Sequence, residues 1–246
     1  MNNNLGTSGD AGRVGGNGVF GDADGGLNQS GEVERPGEIC RQFFGDAFGT
    51  MEYFAKMLED EGEIRGLIGP RELPRLWTRH IVNSGQVAAY LPEGEFRLAD
   101  VGSGAGFPGI VLAIMRPDVQ VTLIEPMERR CEWLDECVTE MGLENVAIFN
   151  GRAEEALQPK GARKFHVVTA RAVAHTKKLA PMVAPLLYIG GKMLALKGRR
   201  VDDEVIEARQ ILKKCRFSHV RIRKVPSPIV PNDPEETTRI LEAVRR

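Results

Sequence analysis

The sequence predicts an α/β fold: a mainly parallel, seven-stranded sheet with helices on both faces and an N-terminal helical cap. Three observations carry this. From residue 96 onward, short apolar and β-branched runs alternate with stretches of helical period, as in successive strand–helix–strand units. A glycine-rich turn, GSGAGFPG at 102–109, sits at the first strand-to-helix junction. Residues 38–91, before it, carry helical periodicity alone.

The elements follow in chain order. Residues 1–31 hold ten of the 28 glycines and few large apolar side chains. Such a stretch buries too little surface to offset its ordering entropy, so residues 1–37 read as a disordered glycine-rich tail. In residues 38–61, Phe43, Phe44, Ala47, Phe48, Met51, Phe54, Ala55 and Leu58 recur at three- and four-residue steps, a helical face that Gly62 ends. Residues 73–91 form a second helix, broken by Pro92. Strands follow at 96–101, 119–125, 145–149, 165–169, 191–197, 217–225 and 238–244. Helices lie between them at 110–115, 127–141, 179–187 and 202–214, with a proline-rich loop before the last strand. In the 127–141 helix, Met127, Cys131, Leu134, Val138 and Met141 are the expected buried stripe. Residues 38–246 then make one domain, a cap (38–92) on a Rossmann-like core (93–246).

Composition sets limits. The chain has 246 residues with 33 Lys+Arg and 34 Asp+Glu. A hydrophobic fraction of 42% supports a large core. No stretch approaches the roughly 18 apolar residues of a membrane span, and no secretory signal opens the chain. Cys40, Cys131, Cys137 and Cys215 are too scattered for a disulfide framework or a zinc site, so no metal and a reducing, cytoplasmic setting are expected. The net charge of −1 hides an asymmetry. Residues 160–224 hold 17 basic and 4 acidic residues, +13, against −14 elsewhere. This fits either a basic face for a polyanion or two sets that folding mixes again.

The glycine turn carries the chemistry. Gly102, Gly104, Gly106 and Gly109 let the chain turn sharply and present bare backbone to a ligand at a helix N-terminus. The spacing from Asp100 through Gly106 suits an S-adenosylmethionine loop, and a dinucleotide fingerprint starting at Gly102 fails at Phe107. Glu125, at the end of the second strand, can take both hydroxyls of a ribose. Together they point to an adenosine-containing cofactor.

Five segments then resemble one family: WTRHIVNS at 77–84, ADVGSGAGFPGI at 99–110, GRAEE at 151–155, ARA at 170–172 and LKG at 196–198. The sequence resembles the RsmG (GidB) methyltransferases, which make 7-methylguanosine in 16S ribosomal RNA, from about residue 38 to the C-terminus. Two departures are Asn83, where the family usually has Asp, and residues 63–70, which lack the family's aromatic, Asn-rich segment.

The resemblance implies a class I S-adenosyl-L-methionine-dependent enzyme acting on a guanosine of the decoding-region stem-loop. The methionine part of the cofactor would meet Gly102, Gly104, Gly106 and Phe107, and Asp100 its ammonium. Glu125 would take the ribose, and Ala153 and Glu154 the adenine. Arg171, after the fourth strand, would stand at the methyl-transfer point as the catalytic residue and a cofactor contact. His80, Lys197, Arg199 and Arg200 would contact RNA, with Arg79 in the basic footprint. The partner would be 16S rRNA or the small subunit, and the enzyme a monomer. Elimination agrees: no Pro-Pro-Tyr-type motif follows strand four and no cysteine lies in the 170s, and a guanine N7 needs neither base nor nucleophile. The alternatives are another RNA or small-molecule methyltransferase, a nicotinamide oxidoreductase and a non-catalytic RNA-binding protein.

Overall fold

The computed structural model describes residues 33–158 and 162–246. Most of the expected glycine-rich tail lies outside the described residues. Its last part, residues 33–37, is tied to the cap. The Glu34 carboxylate accepts from the Thr78 backbone N–H and hydroxyl, both at 2.8 Å, and the Glu34 N–H donates to the Pro74 carbonyl.

The cap is more broken than its periodicity suggests. The first expected helix is two, α1 (Glu38–Phe44) and α2 (Phe48–Glu61), because Gly45 adopts φ 53° between them. Their buried face, Phe44, Phe48, Met51, Phe54 and Leu58, is the one the sequence marks. The second expected helix is composite: a 3-10 turn (Leu73–Arg75), a π-helical stretch (Leu76–Val82), one α turn, α3 (Asn83–Gly85), and a further 3-10 stretch (Gln86–Tyr90). Periodicity cannot distinguish these, since Leu76, Trp77, Ile81 and Val87 are buried throughout. A π-helical stretch redirects carbonyls away from the usual helical ladder, and such turns cluster at functional sites.

The sheet has seven strands in the order β3-β2-β1-β4-β5-β7-β6. β1 (Arg97–Val101), β2 (Gln120–Glu125), β3 (Val146–Asn150), β4 (Phe165–Arg171) and β5 (Leu187–Lys197) run parallel. β7 (Thr238–Arg245) inserts antiparallel between β5 and β6 (Phe217–Val225). Strand order reverses beside β1, which has β2 on one side and β4 on the other. That switch point opens a crevice at the strands' carboxyl ends.

α4 (Gly109–Met115) and α5 (Glu128–Glu140) share one core with the cap, built on Trp133, Leu134, Ile110, Leu112 and Leu123. α6 (Thr176–Val183) and α7 (Val201–Lys214) cover the other face through Leu179, Val183, Val201, Ala208 and Leu212. The α5 stripe differs from expectation. Cys131 and Leu134 are buried, but Met127 is 38% exposed and precedes the helix, while Trp133 and Cys137 complete the face. Trp133 is drawn inward because its indole N–H donates to the Ala105 carbonyl, beneath the glycine turn.

Candidate active site

Two clefts open at the carboxyl ends of the strands. The first, about 560 Å³, lies between the glycine loop and the turn at 151–154. Gly102 has φ 69°, and a Cβ there would stand 2.7 Å from the Val173 side chain. Only glycine lets this backbone pass. The loop then runs into α4, where the Gly109 N–H donates to Asp100 Oδ2 at 3.0 Å. Glu125 faces the cleft, its Oε2 accepting from Gly104 N–H and its Oε1 from Met127 N–H, each at 3.0 Å. Gly102, Gly104, Phe107, Glu125, Ala153, Glu154 and Arg171 all line it. Gly106 supports the same loop at φ 109°.

Asp100 stands beneath the cleft. It is fully buried under the loop and does not line the cleft. Its Oδ1 accepts from the Thr169 hydroxyl at 2.9 Å, in β4, so the carboxylate ties β1, β4 and the start of α4 together. Burial pushes its pKa up to about 6, against the hydrogen bonds from Thr169, Ser103 and Gly109 that pull it down. Asp100 is a positioning residue for the loop.

Sequence reasoning missed Arg130, in the first turn of α5. It lines the cleft, and its buried Nε has no hydrogen-bond partner among the described residues. Its one signal was position, five residues after Glu125 on the next helix. Leu67 and Met127, also lining, carry no motif.

The second cleft, about 550 Å³, joins segments far apart in sequence: Glu72, Arg79 and Asn83 from the cap, Ala174 and His175 after β4, Leu196–Arg199 at the end of β5, Glu204 of α7, and Glu235–Thr237 with Arg239 at the start of β7. Arg171 and Ala172 line both clefts. Ala172 holds φ 54°, a left-handed backbone rare for a residue with a Cβ, placed at this junction.

The Arg171 guanidinium is gripped by the cap. Nη1 donates to His80 O and Ser84 Oγ at 3.3 Å each, and Nη2 to Arg79 O and His80 Nδ1 at 2.9 Å each. Two of these acceptors are carbonyls of the π-helical stretch. The guanidinium also sits 5.5 Å from the Phe107 ring centre. Burial lowers its pKa to about 10, and it stays charged at neutral pH. A guanidinium has five N–H groups; Nε–H alone is without a partner within the described chain. Arg171 therefore locks the cap to the end of β4 and, lining both clefts, keeps one N–H uncommitted.

The expected RNA contacts divide. His80 lines neither cleft. Its ring packs on Phe107 with centres 5.3 Å apart, and Nδ1 accepts from Arg171. Burial and the charges of Arg171 and Arg79 lower its pKa to about 3, so it is a neutral structural acceptor. Lys197 lines the second cleft, but only 7% of its side chain is exposed, and Nζ donates to Ala174 O at 2.8 Å and Glu204 at 2.9 Å. It braces β5 against α7. Arg199 is 66% exposed at the cleft, paired with Glu235. Arg200 is exposed but lines neither cleft. Arg79 lines the second cleft, held by Glu72 and Glu236. The basic block is partly neutralised by acids within it, as in Lys177–Glu207 and Lys224–Asp202, and partly by acids from beyond it, as in Arg199–Glu235 and Arg223–Glu242. Among the described residues no helix is long and apolar enough to cross a membrane.

A family model described as rRNA small subunit methyltransferase G (GidB) matches residues 48–230. The chain belongs to this family. A protein of Leifsonia xyli subsp. xyli named ribosomal RNA small subunit methyltransferase G is 45% identical over 214 residues, covering 87% of this chain and 98% of its own. That of Thermobifida fusca, with the same name, is 48% identical over 181 residues, 74% of this chain and 75% of its own. The fold matches solved methyltransferases. A SAM-dependent methyltransferase from Aquifex aeolicus aligns with TM-score 0.52 at 17% identity over 70% of this chain and 94% of that one. A tRNA (m1A58) methyltransferase from the same organism aligns with TM-score 0.51 at 18% identity over 67% and 68%. Membership of the GidB family makes the chain a methyltransferase whose cofactor is S-adenosyl-L-methionine. The first cleft suits that molecule: a carboxylate for a diol, a bare glycine backbone, and a guanidinium Nε without a partner.

Proposed function

We propose that this protein transfers the methyl group of S-adenosyl-L-methionine to N7 of a guanosine in 16S rRNA, in the decoding-region stem-loop of the small subunit. The observation that carries the reading is the junction at Arg171–Ala172, where a cofactor-sized cleft meets a second one rich in guanidinium groups. Methyl transfer needs two reactants aligned across one short gap, and alignment supplies much of its rate.

The cofactor supplies an electrophilic methyl group on a sulfonium. Glu125 would hold its ribose, the turn around Ala153 and Glu154 its adenine, and the loop from Gly102 to Phe107 its methionine part. Asp100 keeps that loop on β1 and β4. In the transfer, the N7 lone pair forms the new N–C bond while the C–S bond breaks and its electron pair returns to sulfur. Positive charge passes to the base, and no proton moves. Neither cleft is lined by a cysteine, in keeping with a reaction that needs no protein nucleophile.

The domain reading follows: residues 38–246 act as one unit, with the cap (38–92) fixing Arg171 and walling the second cleft, and the core (93–246) holding the cofactor. In this reading the working unit is a monomer, acting in the cytoplasm on the small-subunit RNA. Mapping 7-methylguanosine in 16S rRNA from cells with and without the gene tests the reading. Loss of one modified position, restored by the purified protein with S-adenosylmethionine, is expected. An unchanged pattern would overturn it.

A further inference from the structure

The second cleft holds an uncommitted donor and an unsaturated acceptor, coupled through one imidazole. The donor is Arg171 Nε–H, the other four N–H groups being bound to the cap. The acceptor is Glu72, whose carboxylate takes Arg79 Nη1 at 3.1 and 3.4 Å and is 40% exposed in the cleft. Two carboxylate oxygens have about four acceptor positions, so Glu72 has capacity left. His80 stands between the two. A guanidinium only donates, so His80 Nδ1 must accept from Arg171 and the ring proton lies on Nε2. That Nε2 is buried 3.3 Å from Glu72 Oε2, yet it makes no well-aligned hydrogen bond.

Guanine is the one RNA base whose edge, read from N7, runs acceptor, acceptor, donor, donor: N7, O6, N1–H, N2–H. Adenine puts an amino donor where guanine has O6 and a lone pair where guanine has N1–H. We propose that the second cleft is the target-base site and that Glu72 and Arg171 select guanine. O6 accepts from Arg171 Nε–H, and N1–H and N2–H donate to the Glu72 carboxylate. N7, next to O6 on the ring, is left unbonded toward the cofactor cleft, which shares Arg171. Adenine would set donor against donor at Arg171 and lone pair against carboxylate at Glu72. This rests on the guanine-N7 reading above and adds the residues that choose the base.

The test uses the full chain and 16S rRNA ligated to carry guanosine or inosine at the methylated position. Inosine keeps N7, O6 and N1–H but lacks the N2 amino group. Single-turnover methyl transfer is measured for the wild type, Glu72→Ala and Glu72→Gln, with cofactor affinity read by calorimetry. The wild type is expected to prefer guanosine by roughly 10-fold, and each variant to lose roughly 10- to 100-fold on guanosine with cofactor affinity unchanged. In Glu72→Ala the preference should fall below about twofold, because the group that reads N2–H is gone. A variant that slows both substrates yet keeps the 10-fold preference would show Glu72 to be only a brace for Arg79 and His80, overturning the proposal. Should neither variant bind cofactor, the wild-type ratio decides: equal rates on the two RNAs overturn it. A wild type that binds cofactor but methylates neither RNA removes the guanine-N7 reading itself, a result distinct from equal rates.

Discussion

The two clefts of this molecule are built in opposite ways. The first cleft is built chiefly from local turns: a glycine loop between β1 and α4, a carboxylate ending β2 and a turn after β3, joined by Leu67 of the cap and by Arg171–Val173. The second cleft is mostly charged side chains drawn from distant segments, with Arg79, Lys197 and Arg199 already held by Glu72, Glu204, Glu235 and Glu236. A neutral-to-cationic small molecule needs shape and a few fixed dipoles. A polyanion needs positive charge, and a fold that gathers that charge without its ligand must balance it internally. On the proposed reading, the difference teaches where to look for each function: in the turns for the cofactor, and in the ion pairs for the RNA.

Arg171, shared by both clefts, should give the largest effect. Arg171→Ala leaves the acceptors at Arg79, His80 and Ser84 without their donor, at about 1–3 kcal/mol for each that stays buried. Thermal unfolding should reveal a loss of roughly 3 kcal/mol or more, together with failure of methyl transfer. A variant with wild-type stability and activity would dissolve the idea that one residue couples the clefts.

Glu125→Ala separates the clefts. It removes charge-assisted hydrogen bonds to a ribose, each about 1.5–3 kcal/mol, so cofactor affinity should fall about 100-fold. RNA affinity, measured without cofactor, should stay within about twofold. Equal losses of both would mean that the clefts are not independent.

Asp100→Asn tests the claim that Asp100 supports the cofactor cleft from below. A carboxyl raised from 3.8 to about 6 holds its proton more tightly folded than unfolded. Its contribution to stability is therefore full below about pH 4, declines as pH rises to about 6, and is then constant; the span is of order 3 kcal/mol. Wild-type stability minus that of Asp100→Asn, followed by denaturant unfolding from pH 4 to 7, should show this decline. Asparagine can still accept from Gly109 N–H, so cofactor affinity should change less than about threefold. A much larger loss would return Asp100 to the role of a direct ligand.

The smallest effect distinguishes the target cleft by salt. RNA affinity should fall as salt rises, and Arg199→Ala should lower the slope of log affinity against log salt by about one, with cofactor affinity unmoved. An unchanged slope would remove Arg199 from the phosphate contacts.

Much of the fold was legible in the chain. β6 spans residues 217–225 as the sequence reads, and the other strands agree to within a few residues. Apolar alternation and helical period depend on neighbours a few residues apart, so they survive in one dimension. Elements whose irregularity follows from distant partners were not legible. The π-helical stretch aims carbonyls at Arg171, some ninety residues later. Trp133 is buried by a carbonyl of the loop at Ala105. The cleft linings divide in the same way: the glycines and Glu125 are marked by spacing, while Glu72 and Arg130 belong to no motif. His80 and Lys197 take partners from distant segments, Arg171, Ala174 and Glu204, which their residue types alone do not reveal.

The sequence by itself determined the strand–helix alternation, the glycine turn and the carboxylate beside it, because each follows from local sterics and hydrophobic period. Only the tertiary structure decided what the charges do. A run of 17 basic residues between 160 and 224 sets a local balance of +13, but whether a cation faces RNA or a carboxylate depends on which chain segment folding brings within a few ångströms. Coulomb energy depends on distance in space, and a count along the chain contains none of it.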